Sequence, residues 1–439
     1  MLRNYIILFL ITSITIVKAQ EFTVVDGNST TQILLDKSDA EVIRIATDLF
    51  VRDVQSISGK TIGIVNKIPK QSTSVIIAGT LESKFIQQLR KNGKINASNL
   101  KDTWENYSIQ QVDAPFKGIE TALVITGSDR RGAAYGILEL SRKMGVSPWE
   151  WWADVTPKKQ ATIKLATVDE TFKGPSVKYR GVFLNDEDWG LERWATLTFE
   201  PEASDMGPKT YAKIFELLLR LRANTIWPAM HSSTEPFYSF PDNKKIADDY
   251  AIVIGTSHAE PMLSNINTEW DRETMGEYRY DSNSATIKKL FTDRAVETSR
   301  YEGIYTMGMR GEHDSPMIMG DDDTDAQVKL LGKVITDQRT ILEKELKKPA
   351  ETVPQAFVPY KEVLNYYQSG LVLPDDITLV WTDDNYGYIR QLSTHEEQQR
   401  SGGAGVYYHT SYWGRPHDYL WLNSTNPVLM WEEMTKAYS

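Results

Sequence analysis

From Tyr179 onward, hydrophobic and polar positions follow one repeated phrase: a short run of β-branched and aromatic residues that breaks off into a polar cluster. It occurs seven times, as YRGVFLNDED, NTIWPAMHSS, AIVIGTSHAE, GIYTMGMRGEHD, AFVPYKE, ITLVWTDDNYGY and GVYYHTSYWG. These runs predict strands near residues 179–184, 224–229, 251–256, 302–308, 356–360, 377–382 and 404–409. Between most of them the apolar positions take helical spacing. Tyr211, Ile214, Phe215, Leu218 and Leu219 form one stripe over 211–221. Further helices are predicted over 287–299, 327–346 and 389–400, the last stopped by Ser401-Gly402-Gly403. Strand followed by helix, repeated, predicts a (β/α)8 barrel of the TIM type, whose reactive side chains sit at the C-terminal ends of the strands. Seven strands are expected and an eighth is missing: after Tyr412 come a loop and a helix over 428–438. A barrel with an open edge is an aggregation hazard, so the chain is expected to be the N-terminal part of a longer protein.

The preceding text predicts a smaller α/β accessory domain over residues 20–173, ahead of a barrel domain over 174–439. Helices are expected over 41–57, from 83 to 90, and from a Ser128 or Asp129 cap to a stop at Gly145. Buried strands are expected at SVIIAG (74–79) and ALVITG (122–127). An aromatic segment, SPWEWWADVTPKK, then leads to the Gly174-Pro175 boundary. Residues 1–19 carry one Arg, an apolar stretch and a small-residue cleavage site, which predicts a signal peptide and export to the periplasm or beyond. After its removal no membrane association is expected, because the apolar stretch is too short to span. The chain has no cysteine, which excludes disulfides and a lipid-modified cysteine anchor.

A net charge of −10 argues against nucleic acid as a partner. The 12 Trp and 21 Tyr supply flat faces of the kind on which sugar rings stack. All six histidines lie in the second half, and His231, His258, His313 and His409 fall just past predicted strands. Acids do the same: Asp186, Glu187 and Asp188 after the first strand, Glu260 after the third, Glu312 and Asp314 after the fourth. Glu362 follows the fifth, and Asp383 and Asp384 the sixth. Such a rim suits glycoside hydrolysis, which needs one protonated and one ionised carboxyl group. It suits metal-assisted hydrolysis less well, since no His-x-His follows the first strand and no HExxH occurs. No G-x-S-x-G elbow is present for a Ser-His-Asp hydrolase. No metal or organic cofactor is expected.

Together, RGVFLNDEDWG, NTIWPAMH, GTSHAEPM, MGMRGEHDSPM, VPYKEVLNYY, WTDDNYGY and YYHTSYWGRP resemble glycoside hydrolase family 115, the xylan α-1,2-glucuronidases. GSDRRGAAYGILELSRKMGVSPWEWW is similar to that family's N-terminal domain, a unit shared in outline with family 67 α-glucuronidases and β-hexosaminidases. The resemblance implies an exported enzyme that removes glucuronic acid, or its 4-O-methyl ether, from glucuronoxylan or its oligosaccharides with inversion. It also implies a last strand, a helical region and a β-rich domain beyond this chain, in a protein that tends to form homodimers. Carried over by position, the pocket would use Asn185, Asp186, Trp227, His258, Arg310, Asp314, Tyr360, Glu362, Asn385, His409 and Tyr412.

Within that set, Arg310 suits the uronate carboxylate, because a guanidinium grips it bidentately. The competing reading is a local ion pair with Glu312 or Asp314. Glu362 and Asp186 are the leading acid and base, with Glu362 kept protonated by an apolar neighbour and Asp186 left ionised beside Asn185. The roles are interchangeable at this stage, and Asp314 or Asp384 could replace either. An inverting pair stands about 6.5–9.5 Å apart. Two rivals remain: a β-hexosaminidase-type barrel, whose adjacent Asp-Glu pair is matched only by Glu312-His313-Asp314, and a non-catalytic glycan-binding protein.

Overall fold

A computed structural model of the chain describes residues 20–27, 29–167, 169–185, 187–318, 320, 323–412 and 424–439. The expected signal peptide therefore lies outside the described residues, as do Asp186 and the loop after Tyr412. The fold is mixed α/β, and the chain divides into two compact units, Met1–Ser176 and Val177–Ser439.

In the first unit the strands are β1 (Gln20–Asp26), β2 (Ser29–Thr30), β3 (Gln32–Leu35), β4 (Gly63–Val65), β5 (Ser72–Thr80), β6 (Tyr107–Asp113), β7 (Ile119–Gly127), β8 (Ile163–Thr167) and β9 (Glu170–Phe172). Six form one sheet in the order β4-β3-β5-β7-β6-β9. Its first four strands are parallel and β6 is antiparallel to both neighbours. The central strands carry uninterrupted apolar runs because both faces are covered: Val75, Ile76, Ile77, Leu123, Val124 and Ile125 are all buried. The helix Glu41–Ser58 presents Val42, Ile43, Ala46, Leu49, Phe50, Val54 and Ile57 to the interior. The helix Arg130–Lys143 is capped by Asp129, whose carboxylate accepts from the Gly132 N–H at 2.8 Å. A separate antiparallel sheet, β2-β1-β8, is not among the strands expected from the sequence.

The second unit contains β10 (Gly181–Phe183), β11 (Thr225–Trp227), β12 (Val253–Ile254), β13 (Tyr305–Thr306), β14 (Gln355–Phe357), β15 (Thr378–Thr382) and β16 (Ala404–Tyr407). All pair in parallel, as β10-β11-β12 and β13-β14-β15-β16. A parallel bridge between Ile254 and Gly303 joins the two groups. Six of the seven strands fall inside a predicted run and β14 starts one residue ahead of its own, at Gln355; all are shorter than expected, because the chain leaves the ladder where the polar cluster begins. The array curls: Phe183 on β10 meets Tyr407 on β16 at 5.6 Å between ring centroids. The helices Tyr280–Thr298 and Thr324–Leu346 cover it, and Ile287, Phe291, Leu331, Val334, Ile335 and Leu342 pack with Phe357, Leu379 and Trp381 in one apolar cluster.

The helix expected over 389–400 does not form. Ile389 instead makes an antiparallel bridge to Asp383, and only Glu397–Gln399 forms a 3₁₀ turn. The segment has apolar anchors only at Ile389 and Leu392, too few for a buried stripe. Its polar residues have better partners, Arg390 with Asp384 and the Thr394 N–H with Glu397.

The β10–β11 pair leaves no room for a side chain at Gly181, where a Cβ would lie 1.8 Å from the Thr225 carbonyl oxygen. Gly181→Ala should lower the apparent unfolding free energy by about 2 kcal/mol or more through overpacking. Gly190→Ala meets open space and should change it by less than about 0.5 kcal/mol. Thermal and urea unfolding of the two variants check this.

Candidate active site

The polar clusters that follow the strands bring charged side chains to one end of the parallel array. His258 follows β12, Arg310 and Asp314 follow β13, and Tyr360, Lys361 and Glu362 follow β14. Asp383, Asp384 and Asn385 follow β15, and His409 and Tyr412 follow β16.

Arg310 is the centre of this group, and its side chain is only 2% exposed. Its Nε and Nη2 donate to the two oxygens of Glu362, each at 2.8 Å, in a bidentate pair. Its Nη1 lies against Asp314, and its guanidinium faces the Tyr360 ring at 5.8 Å. Asp314 also accepts from Lys361 Nζ at 2.8 Å and pairs with His258 Nε2 at 2.8 Å. One buried guanidinium thus holds two acids delivered by different strands. The local pairing of Arg310 with Asp314 foreseen from sequence is present. The pairing with Glu362, separated by 52 residues, was invisible there. A guanidinium, rather than an apolar neighbour, sets the surroundings of Glu362. Each Glu362 oxygen accepts one hydrogen bond from that guanidinium.

Burial pushes His258 well below the usual histidine range, and Arg310 and Lys361 add to that. The neutral ring then donates its single N–H through Nε2 to Asp314, by the logic of the hydrogen-bond network. His258 packs on Tyr360 at 4.2 Å, and the Tyr360 hydroxyl donates to Asn385 Oδ1 at 3.2 Å. His409 is held the opposite way round. Its Nδ1 meets buried Asp383 at 2.5 Å, so its Nε2 is left to accept from the Tyr407 hydroxyl at 3.0 Å. Tyr412 lies edge-on to the His409 ring at 5.5 Å.

Asp384 is tied more superficially. Burial would raise its pKa, but hydrogen bonds from the Tyr386 and Tyr388 N–H groups and from Arg390 outweigh that and hold it below the usual range. Trp227 packs between Phe183 and Tyr407, at 5.4 and 5.3 Å. Its indole sits where Gly255 lacks a side chain; a Cβ there would be 2.5 Å from Nε1. Asn185 is half-buried just past β10, and Asp186 beside it lies outside the described residues.

Lys361 was not singled out from sequence, although its position between Tyr360 and Glu362 was a usable signal. Asp383, Glu187 and Glu260 were read there only as rim acids, and the sequence does not separate buried Asp383 from tethered Asp384. Glu187 is buried and accepts from the Met230 and His231 N–H groups at 3.0 and 2.8 Å, clamping the loop after β10 to the loop after β11. Glu260 is fully enclosed, and burial pushes its carboxyl up to about 8, against weaker pulls from Ser257. Among the described residues, no group of three or more His, Asp or Glu side chains is arranged to hold a metal ion.

The sequence profile of glycosyl hydrolase family 115 matches residues 173–439. The chain belongs to that family. A solved structure described as a family GH115 4-O-methyl-alpha-glucuronidase with specificity for decorated arabinogalactans superposes with a TM-score of 0.86 at 45% identity. The match covers 95% of this chain and 53% of that one. The family 115 chain described here therefore spans about half the length of that relative. More distant likenesses include Flavobacterium johnsoniae chitobiase, at 13% identity, a TM-score of 0.47 and 96% and 70% coverage. A Streptomyces plicatus beta-hexosaminidase matches at 10%, 0.49 and 89% and 72%. A search of curated proteins found no match. Among the described residues no helix is long and apolar enough to cross a membrane.

Two buried groups of shifted pKa, Glu260 and His258, predict opposite pH effects on stability. Glu260 is raised in the folded state from an ordinary 4.5 to about 8. The stability it contributes is complete below 4.5 and is lost as pH rises toward 8. His258 is depressed from 6.5, so its contribution is complete above 6.5 and is lost as pH falls below it. Glu260→Gln should flatten the decline in unfolding midpoint on the alkaline side and leave the acid side unchanged, as read from midpoints between pH 4 and 9.

Proposed function

We propose that this chain is the N-terminal part of an exported glycoside hydrolase that releases α-1,2-linked glucuronic acid, or its 4-O-methyl ether, from glucuronoxylan. Family membership and the 45% identical relative support this reading. The observation that carries it is the bidentate grip of Arg310 on Glu362 with Asp314 on the same guanidinium. Such a cluster offers a fixed, ionised acceptor at the mouth of a parallel array, which is what a general base must be. We read the seven strands as all but one of a (β/α)8 barrel, with residues 20–173 as its accessory domain, and the whole protein as a homodimer acting in the periplasm or outside the cell.

In this mechanism Glu362 is the base that takes a proton from the attacking water, and Asp186 is the acid that protonates the leaving oxygen. Attack from the face opposite the leaving group inverts the anomeric carbon. Asp314 and His258 hold the guanidinium and, through it, Glu362. Asn185, Trp227, Asn385, His409 and Tyr412 orient the sugar. The reaction uses two carboxyl groups and needs no metal or organic cofactor. A second reading of the substrate has a specific ground: the 45% identical relative is described as specific for decorated arabinogalactans. In that case the uronic acid is the same and the polysaccharide that carries it differs.

The purified full-length protein, given each polysaccharide in turn, should release free uronic acid, first seen by NMR as the inverted anomer. Products from a chitobiose substrate, or glycan binding without turnover, would overturn the reading. Glu362→Gln should lower kcat by about 100-fold or more with little change in KM. Asp384→Asn, which touches a tethered acid, should cost less than about tenfold.

A further inference from the structure

An enzyme for a uronic acid must recognise a carboxylate, and Arg310 is poorly placed to do so. Its guanidinium is already shared between Glu362 and Asp314 and is 2% exposed. Lys361 differs on every count. Its side chain is 46% exposed, and it lines the cavity bounded by Tyr360, Asp384 and Asn385. An ammonium carries three donors; one is spent on Asp314 at 2.8 Å, while the aliphatic stem runs along the Tyr360 ring with Nζ 5.0 Å from its centroid. The backbone at Lys361 is strained as well, with φ 52° and ψ −125°, a conformation that favours glycine over any side chain. Strain of this kind persists where the surrounding structure holds a side chain to a task. The other accessible cation of this cavity, Arg390, is bound through Nε and Nη2 to Asp384 on the outer side.

We propose that the Lys361 ammonium receives the carboxylate of the uronic acid and makes the site selective for acidic over neutral sugars. The inference rests on the reading above that the substrate carries a uronic acid. On binding, the carboxylate takes up donors of Lys361 that Asp314 leaves unused, while Arg310 stays with Glu362 and Asp314.

Calorimetry of the full-length protein with D-glucuronate and with D-glucose, which differ at C6, tests this without depending on turnover. Wild type should prefer glucuronate. Lys361→Gln should weaken glucuronate by about 10- to 100-fold, the range of one lost charge-assisted hydrogen bond, and leave glucose unchanged. Lys361→Gly should do the same while remaining at least as stable as wild type, because glycine relieves the strained φ. This separates loss of binding from loss of fold. Arg390→Gln should keep the preference. The proposal is overturned if Lys361→Gln retains the preference, or if Arg390→Gln abolishes it. A fall in kcat with unchanged glucuronate affinity would also overturn it, since Lys361 would then act only by positioning Asp314. Lys361-dependent glucuronate binding without release of uronic acid from either polysaccharide would sink the hydrolase reading and leave this inference standing.

Discussion

The buried guanidinium of Arg310 is the constraint on which this end of the molecule depends. A cation that is 2% exposed cannot remain unpaired, because the desolvation penalty is several kcal/mol per ion. Here the penalty is met by two carboxylates from the loops after β13 and β14. The pairing ties the ends of two adjacent strands together and orients Glu362. Asp314 extends the same network to His258 on the loop after β12 and to Lys361. Removing Arg310 or either of its two acids would leave a buried charge undercompensated, so these three residues are specified as a unit.

The surrounding packing makes that network possible. Neutral His258 can lie within the reach of two cations because burial removes its own charge. Tyr360 and Tyr407 then wall it with ring faces. Next to it, Asp383 and His409 form a second buried pair with opposite tautomeric logic, Nδ1 donating and Nε2 accepting. Together the two pairs give the site one histidine that donates toward the carboxylate cluster and one whose ring is locked from behind. Membership of glycosyl hydrolase family 115 and the proposed uronic-acid chemistry are both consistent with a site whose charges are set before substrate arrives.

Much of this was legible in the chain. The runs at 179–184 and 377–382 contain β10 and β15 because β-branched and aromatic residues bounded by polar clusters leave little alternative to a buried strand. The helix at 41–58 was equally plain, and of the two cap residues the sequence offered, Ser128 and Asp129, the structure uses Asp129. The helix expected over 389–400 failed because helical spacing without enough apolar anchors loses to side-chain partners supplied from elsewhere. Asp384 is such a partner for Arg390. In the first unit, β6 was missed because QQ interrupts its alternation beside an antiparallel neighbour.

The sequence by itself determined the alternation of strands and helices, the presence of acids and histidines just past the strands, and the family resemblance those phrases carry. All of these are local: they depend on residues within a few positions of one another. Only the tertiary structure decided which charges meet. Arg310 and Glu362 are 52 residues apart, as are many other pairs that never touch, and His409 and Asp383 are 26 apart. Electrostatic partners are chosen by distance in space and by the water excluded around them. Whether Arg310 faces a substrate or an internal carboxylate, and whether Lys361 is left accessible, follows from where the array curls and what it buries.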